Sequence, residues 1–439
     1  MVKNKRTIDK KDLSRTEKEK QLSKLTDRDY DALLSIYNFR CLSFDQIYER
    51  HYKYSQKKGN ELIINDTTYA KRKIKSLLSL ELIDEMYLLD KNIPILYKLT
   101  TSGINILRKQ FCWPDNIYDD KGLKHSKGYL TESELNIKEK NAAHQYCLNC
   151  FVLRLEEIYK HNKFLYEDER HINSFVGIRP DGIFTTNNTV FFLEMDMGTE
   201  TAKQLSEKWD HYRDFMNSNE YLFRERRIVV LFIVDGIVRI NQRINLIKDT
   251  INKHFIDCFA YDIELYINTA DKLVEFMETE NNDLYDMNDM ILKNTLENKF
   301  RVIDNVDKIK EYFSDIPFSL FARQNINGQN YDYLFENFDN EPMSSIYKAS
   351  FFDKITNSFR ASNNSNLRLI LVCESIDIAY SNYKVFELDY TLFTTFDRIA
   401  TLPFNEAIIS FSRNGDVFNF KDNTLNQINP IDFINIKKA

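Results

Sequence analysis

Three rhythms of apolar and polar residues run along this 439-residue chain. From Thr26 the period is helical. DRDYDALLSIYNF puts Tyr30, Leu33, Leu34 and Tyr37 on one face, with Thr26 as N-cap. Ser43 caps a short second helix, FDQIYERHY, and a polar loop follows over Lys53–Asn60. Asp66 or Thr67 opens a third helix, TTYAKRKIKSLLSL. Its apolar stripe is Ala70, Ile74, Leu77 and Leu78, which leaves Lys71, Arg72 and Lys75 outside. The period then changes to that of strands, Leu82–Leu89 and Pro94–Leu99, joined by a turn at Asp90–Asn92. Thr100-Thr101-Ser102-Gly103 starts a closing helix. Three helices, a β-wing and a closing helix are the parts of a winged helix-turn-helix, here residues 26–114. Such a module lays its third helix in a groove of double-stranded DNA. Thr67, Thr68, Lys71, Arg72 and Lys75 are then its candidate DNA-binding residues. A Lys-rich helix is also what a solvated surface looks like, and winged helices serve as protein-interaction modules too.

Residues 115–139 have weak apolar periodicity and two glycines, Gly122 and Gly128, as in a linker. A long helix from Ile137 to Lys160 gathers Ala143, Tyr146, Cys147, Cys150, Phe151 and Leu155 largely on one side. Cys147 and Cys150 have the spacing of half a zinc site, but no second Cys/His pair matches it, so two thiols on a helix face are the better reading. Strands follow at Phe164–Glu169, Ser174–Asp181 and Val190–Asp196, then a helix at Glu200–Met216. Ile228–Val234 has the length and β-branching of a central buried strand. A helix at Asn241–His254 and a strand near Cys258–Tyr261 complete an α-β-β-β-α-β-α-β order about one mixed sheet, spanning residues 140–270. Residues 271–299 suit a helical connection. Residues 300–439 form a further α/β region, with strands Leu367–Cys373 and Ala407–Phe411. The latter pairs through Arg413–Asp416 with Val417–Phe420. The fold class is therefore α/β and multidomain, and the C-terminal region carries no recognisable chemistry.

Charge sharpens this division. Residues 1–25 are a polar basic arm. Residues 1–114 hold 23 Lys+Arg against 15 Asp+Glu, whereas the rest holds 37 against 51. Only the first part has the balance of a nucleic-acid surface. Six scattered cysteines make no disulfide framework, which points to a reducing cytoplasm. No apolar run approaches the ~20 residues of a membrane span, and the polar first residues do not read as a signal peptide, so no membrane partner is expected.

The densest chemistry lies between Arg179 and Tyr212. Asp181 ends one expected strand, while Glu194 and Asp196 share with Phe192 one face of the next. Three acids at one end of a sheet suit a hard cation, Mg2+ or Mn2+. Alternatively, Glu194 and Asp196 pair with Arg179, Lys203 or Lys208.

The α-β-β-β-α-β order, with Pro180-Asp181 on one strand and Glu194-x-Asp196 on the next, is similar to the PD-(D/E)xK nuclease-like fold. A winged helix followed by a helix carrying His144, then RPDG, FFLEMDMGTET and KWDHY, resembles the replication-relaxation family of plasmids and other mobile elements. The likeness covers roughly residues 26–265. It implies a DNA-binding protein acting in replication or relaxation, with Mg2+ or Mn2+ held by Asp181 and Glu194 for DNA nicking. In the nuclease pattern a lysine stands two residues after the glutamate, and here that position is Asp196. An acid cannot supply the positive charge that stabilises a pentacovalent phosphate, so Lys203 or Lys208 from the next helix would have to. Asp181, Glu194, Asp196 and Lys208 are accordingly the catalytic candidates, with His144 either near them or buried as a structural group. The alternative is a non-enzymatic DNA-binding replication or transcription factor whose degenerate nuclease-like domain binds replication or regulatory proteins.

Overall fold

Two helices open the described chain, α1 (Arg15–Leu22) and α2 (Asp27–Phe39). The computed structural model describes residues 15–53, 55–58, 61–64, 67–88, 92–118, 124–172, 175, 177–222, 224–260, 263–281, 301–302, 320–326, 329–363, 367–412, 414, 416–421 and 424–427. They fall into two compact units, one of residues 1–154, 165–174 and 179–184, the other of residues 155–164, 175–178 and 185–439. Most of the basic arm, residues 1–14, lies outside the described residues.

In the first unit α2 starts at a capping box. The Thr26 backbone N–H and hydroxyl both donate to Asp29 Oδ2, at 2.9 Å each. Ala32, Leu33, Ile36 and Phe39 are buried. Strand β1 (Leu42–Ser43) leads into α3 (Phe44–Ile47), capped by Ser43 and Gln46, which continues as a π-turn over Tyr48–Tyr52. Within the loop expected at Lys53–Asn60, Ser55–Lys58 is instead a strand, β2, paired antiparallel with β3 (Glu61–Ile64). Gly59-Asn60, between a polar and an apolar run, was its signal in the sequence. Helix α4 (Thr67–Ser79) buries Ala70, Ile74 and Leu77, while Leu78 stays half-buried. Strands β4 (Ile83–Met86) and β5 (Leu96–Leu99) pair antiparallel, and β1 extends the sheet beyond β5. Both are shorter than their apolar runs, and residue 89 of the first run and residues 90–91 of the expected turn lie outside the described residues. Helix α5 (Thr101–Gln110) begins where the Thr100 hydroxyl accepts from the Gly103 N–H at 3.2 Å. A Cβ on Gly103 would stand 2.2 Å from the Leu82 carbonyl oxygen, so only glycine lets α5 lie so close.

Residues 115–139, expected as a linker, contain ordered elements. These are a hairpin of β6 (Asn116–Tyr118) with β7 (Lys124–Lys127) and a short helix α6 (Glu132–Leu135) capped by Thr131 and Glu134. The exposure of Ile117 and Tyr118 explains why no buried face patterned that stretch. Helix α7 (Glu139–Ile158) follows, then β8 (Leu165–Asp168) and β9 (Gly182–Thr185). Asp181 therefore precedes a strand instead of ending one. Pro180 has no N–H to give a ladder, and pairing starts beyond it.

The second unit is built on three parallel strands, β10 (Thr189–Asp196), β11 (Arg227–Val234) and β12 (Ile263–Thr269), with β11 in the middle. Helix α8 (Ala202–Met216) starts at a Thr201–Gln204 capping box, two residues after the expected Glu200. Between it and β11 lies the single turn α9 (Asn219–Leu222). Helix α10 (Ile240–His254) packs beside α8, where the buried Trp209 sits 5.4 Å from Phe232 and 5.7 Å from Phe255 and donates to Thr250 Oγ1 at 3.0 Å. The strand expected near Cys258–Tyr261 is a 3-10 turn, Ile256–Ala260; the strand itself begins at Ile263. Helix α11 (Ala270–Asn281) starts the expected connection, whose residues 282–299 lie outside the described ones.

A second sheet in this unit runs in chain order through β13 (Arg301–Val302), β14 (Leu320–Ile326), β15 (Gln329–Asn337), β16 (Leu367–Cys373), β17 (Thr391–Thr395), β18 (Ile409–Phe411), β19 (Val417–Lys421) and β20 (Thr424–Gln427). Strands β15 to β17 are parallel, joined by helices Met343–Asn363 and Ile376–Phe386, and the other pairs are antiparallel. The sheets are joined by buried polar contacts. Glu264 of β12 accepts from the Ser344 N–H at 3.1 Å and from its hydroxyl, and Lys248 of α10 binds Glu341 and, at 3.0 Å, Asn382. The whole is a mixed α/β protein. No helix among the described residues is long and apolar enough to cross a membrane.

Asp29 ties the first helices together, since it also accepts from Tyr52 Oη at 2.9 Å and from Lys73 Nζ at 2.7 Å. Burial alone would raise its carboxyl, but Lys73, Thr26 and Tyr52 outweigh that and hold it below the usual range. Because the folded value is depressed, its contribution is present above the unfolded pKa and is lost as pH falls through the folded one. Asp29→Ala should cost about 3 kcal/mol in urea melts at neutral pH by stranding Lys73 and Tyr52, and the deficit should shrink on acidification below about pH 4. A loss that stays constant with pH would mean that the charge is not what holds these helices.

Candidate functional site

On α4 the cations separate by direction. Thr68, Lys71, Arg72 and Lys75 are exposed and Thr67 is half-buried, whereas Lys73 turns inward to Asp29. Thr68, Arg72 and Lys75, at i, i+4 and i+7, form the outer ridge. Lys71 lies to one side, its ammonium 5.9 Å from the Phe44 ring centroid. All five residues expected from the sequence to meet DNA are thus on one helix, four of them exposed.

Elsewhere in this unit Asp181 Oδ2 lies 3.2 Å from His144 Nε2, and both side chains are partly exposed. The exposed Arg179 donates to the Glu169 carbonyl at 3.1 and 3.3 Å. A buried polar network that the sequence did not announce runs from α2 to α7 and β8. Arg40 donates to Glu169 Oε1 at 2.8 Å, Gln145 Oε1 at 3.1 Å and the Leu135 carbonyl at 3.3 Å. Gln145 donates in turn to Asp168 Oδ2 at 2.9 Å, and Asn149 to the Cys41 carbonyl at 2.6 Å. Burial pushes the Asp168 carboxyl up to about 6 against the pull of Arg40. Cys150 Sγ accepts from Gln46 Nε2 at 3.2 Å.

In the second unit the end of β10 carries two acids into a core. Glu194, 3% exposed, accepts from Tyr212 Oη at 2.6 Å through Oε1 and from Lys208 Nζ at 3.0 Å through Oε2. Lys208 and Tyr212 stand one helical turn apart on α8, so both reach the same carboxylate. Lys208 also contacts Glu200 Oε1 at 3.1 Å. Lys203 is exposed and pairs with Glu207 at 3.6 Å. Of the two expected lysines, Lys208 alone makes a contact with Glu194. Asp196, 1% exposed, is gripped by Arg243, with Nε 2.5 Å from Oδ2 and Nη2 2.8 Å from Oδ1. The Gly198 N–H adds a bond to Oδ1 at 3.0 Å from a left-handed turn, φ 73°. Arg243 Nη1 donates to the Glu200 carbonyl at 2.7 Å. Of the cations expected beside these acids, Lys208 is in place, whereas the partner of Asp196 is one that the sequence reading missed. Its signal was an arginine inside the apolar stripe Ile240, Ile244, Ile247 and Ile251. Among the described residues no three His, Cys, Asp or Glu side chains are grouped to hold a metal.

Residues 33–230 match the model of the family described as Replication-relaxation. Over these residues the chain is similar to the replication-relaxation family. No curated protein and no solved structure matches it. The replication-relaxation match takes in α4, Asp181, Glu194, Asp196 and Lys208 but stops short of Arg243. One partner of the Asp196–Arg243 pair therefore lies outside the matched region.

The two acids should respond differently to loss of charge. Asp196→Asn leaves the buried Arg243 guanidinium without its counter-ion and should cost about 3–5 kcal/mol in urea melts. Glu194→Gln should cost only about 1–2 kcal/mol, because Lys208 keeps Glu200 and is better solvated. The reverse order would show that Glu194 is the acid on which the fold depends.

Proposed function

We propose that this replication-relaxation protein binds double-stranded DNA through a winged helix-turn-helix of residues 26–114, acting in the replication or relaxation of plasmid or other mobile-element DNA. We further propose that the acids of its nuclease-like central region serve structure. The observation that carries the first part is the sorting of charge on α4. Lys73 is held by Asp29, and Lys71, Arg72 and Lys75 are left facing solvent on one helix. Exposed cations at these spacings suit a row of phosphates, and release of counter-ions supplies the affinity.

For the central region the chemistry of the donor set supports the second part. A divalent cation needs carboxylate oxygens with lone pairs and charge to spare. Both oxygens of Glu194 already accept hydrogen bonds, one from an ammonium, and the charge of Asp196 is met by Arg243. That set does not fit Mg2+ or Mn2+ at Glu194. One observation favours a second reading, in which the domain nicks DNA with the cation held at Glu194. Lys208 Nζ stands 3.0 Å from Glu194, as the lysine missing at position 196 would have to. Under that reading Lys208, not Asp196, is the group that meets the phosphate.

Replacing Lys71, Arg72 and Lys75 with alanine in the full chain should weaken binding to a mixed-sequence duplex. It should also flatten the dependence of log K on log salt by up to ~0.9 per lost phosphate contact. An unchanged salt slope would remove α4 from the DNA. Supercoiled plasmid incubated with Mg2+ or Mn2+ should show no cleavage that Glu194→Gln abolishes. Cleavage abolished in that variant, with its fold retained, would establish the second reading instead.

A further inference from the structure

Tyr69 is the one large apolar side chain that α4 exposes among the described residues, at 39%. An aromatic ring in solvent on a helix otherwise sorted into apolar and cationic faces calls for an explanation. Its position is fixed on two sides. Tyr52 meets it edge to face, with ring centroids 6.1 Å apart at 72°, and Lys73 Nζ lies 5.8 Å from its centroid. Both braces are anchored on the same buried carboxylate, since Tyr52 and Lys73 each bond Asp29. The ring is thus held before any partner arrives, which limits the entropy lost on contact. It stands in the first turn of the helix, beside the ridge of Thr68, Arg72 and Lys75 and one turn N-terminal to Lys73.

We infer that Tyr69 reads base identity, packing its ring against the 5-methyl group of a thymine in the major groove while the neighbouring cations hold the phosphates. The inference rests on the DNA-binding reading of α4 above. First-turn residues of a groove helix are those that reach base edges, and the thymine methyl is the one apolar group that a base pair presents in that groove. A ring that carries no charge adds nothing to counter-ion release, so its effect is separable from that of Lys71, Arg72 and Lys75.

The test uses the full chain and a random-sequence duplex library. Wild type should enrich a motif that contains a fixed thymine. Replacing that thymine by uracil, which removes only the methyl, should weaken wild-type binding roughly fourfold. Tyr69→Phe should show the same loss. Tyr69→Ala should bind the thymine and uracil duplexes equally, with the salt slope of wild type. The inference is overturned if Tyr69→Ala still discriminates against uracil as wild type does. It is likewise overturned if wild type binds duplexes with a normal salt slope but enriches no motif, and in that case the DNA-binding reading stands. If wild type and the triple alanine variant bind equally and with the same slope, that reading itself fails and takes the inference with it. Should Tyr69→Ala unfold, the decision passes to Tyr69→Leu, which keeps apolar bulk but not ring shape and should lose most of the discrimination.

Discussion

A carboxylate carried into a protein core has to find its counter-charge there, and that constraint organises both units of this chain. In the second unit β10 brings Glu194 and Asp196 in on one face, and each receives a cation from a different helix. Lys208 comes from α8 and Arg243 from α10. The two helices that cover this face are thus fixed by the charges on the strand as well as by the aromatic packing of Trp209 with Phe232 and Phe255. Hydrophobic burial supplies the driving force, and the ion pairs determine which helix residues face the strand.

Asp29 plays the corresponding part in the first unit. It closes the capping box of α2, accepts the Tyr52 hydroxyl at the end of the π-turn and holds Lys73 of α4, so one carboxylate sets three helical segments against each other. This has a functional side. A helix with four cations in five positions would present a diffuse charge, but drawing Lys73 inward leaves a one-sided one. A residue that looks like part of the surface in the sequence is part of the frame.

Much of the fold was legible because its elements are amphipathic or uniformly apolar. The helices at Asp27–Phe39 and Thr67–Ser79, the strand Arg227–Val234 and the hairpin of Ile409–Phe411 with Val417–Lys421 all lie within two residues of their patterns. What escaped has a common cause. The hairpins β2–β3 and β6–β7 lack a long apolar run on both strands, so neither period shows. Strand β9 was misplaced because Arg179-Pro180-Asp181 reads as extended chain, and extended chain without donors is not yet a strand. Within the candidate site, Lys208 was named from the sequence as a partner of Glu194, whereas the second donor to that carboxylate, Tyr212, was not. Arg243 was invisible for a different reason, since a lone arginine in an isoleucine stripe gives no hint of which acid it meets 47 residues upstream.

The position of Asp196 fixes which charges the end of β10 can carry. A lysine there would bring a free positive charge to the strand end, whereas an aspartate brings a negative one that the core accepts only if a cation is supplied. Arg243 supplies it with a bidentate grip, the geometry that suits guanidinium and carboxylate best. Lysine at position 196 would set two cations against each other in a buried place, and removing Arg243 alone would strand the aspartate. Positive charge on this strand face therefore comes from the helices, from Arg243 of α10 at Asp196 and from Lys208 of α8 at Glu194.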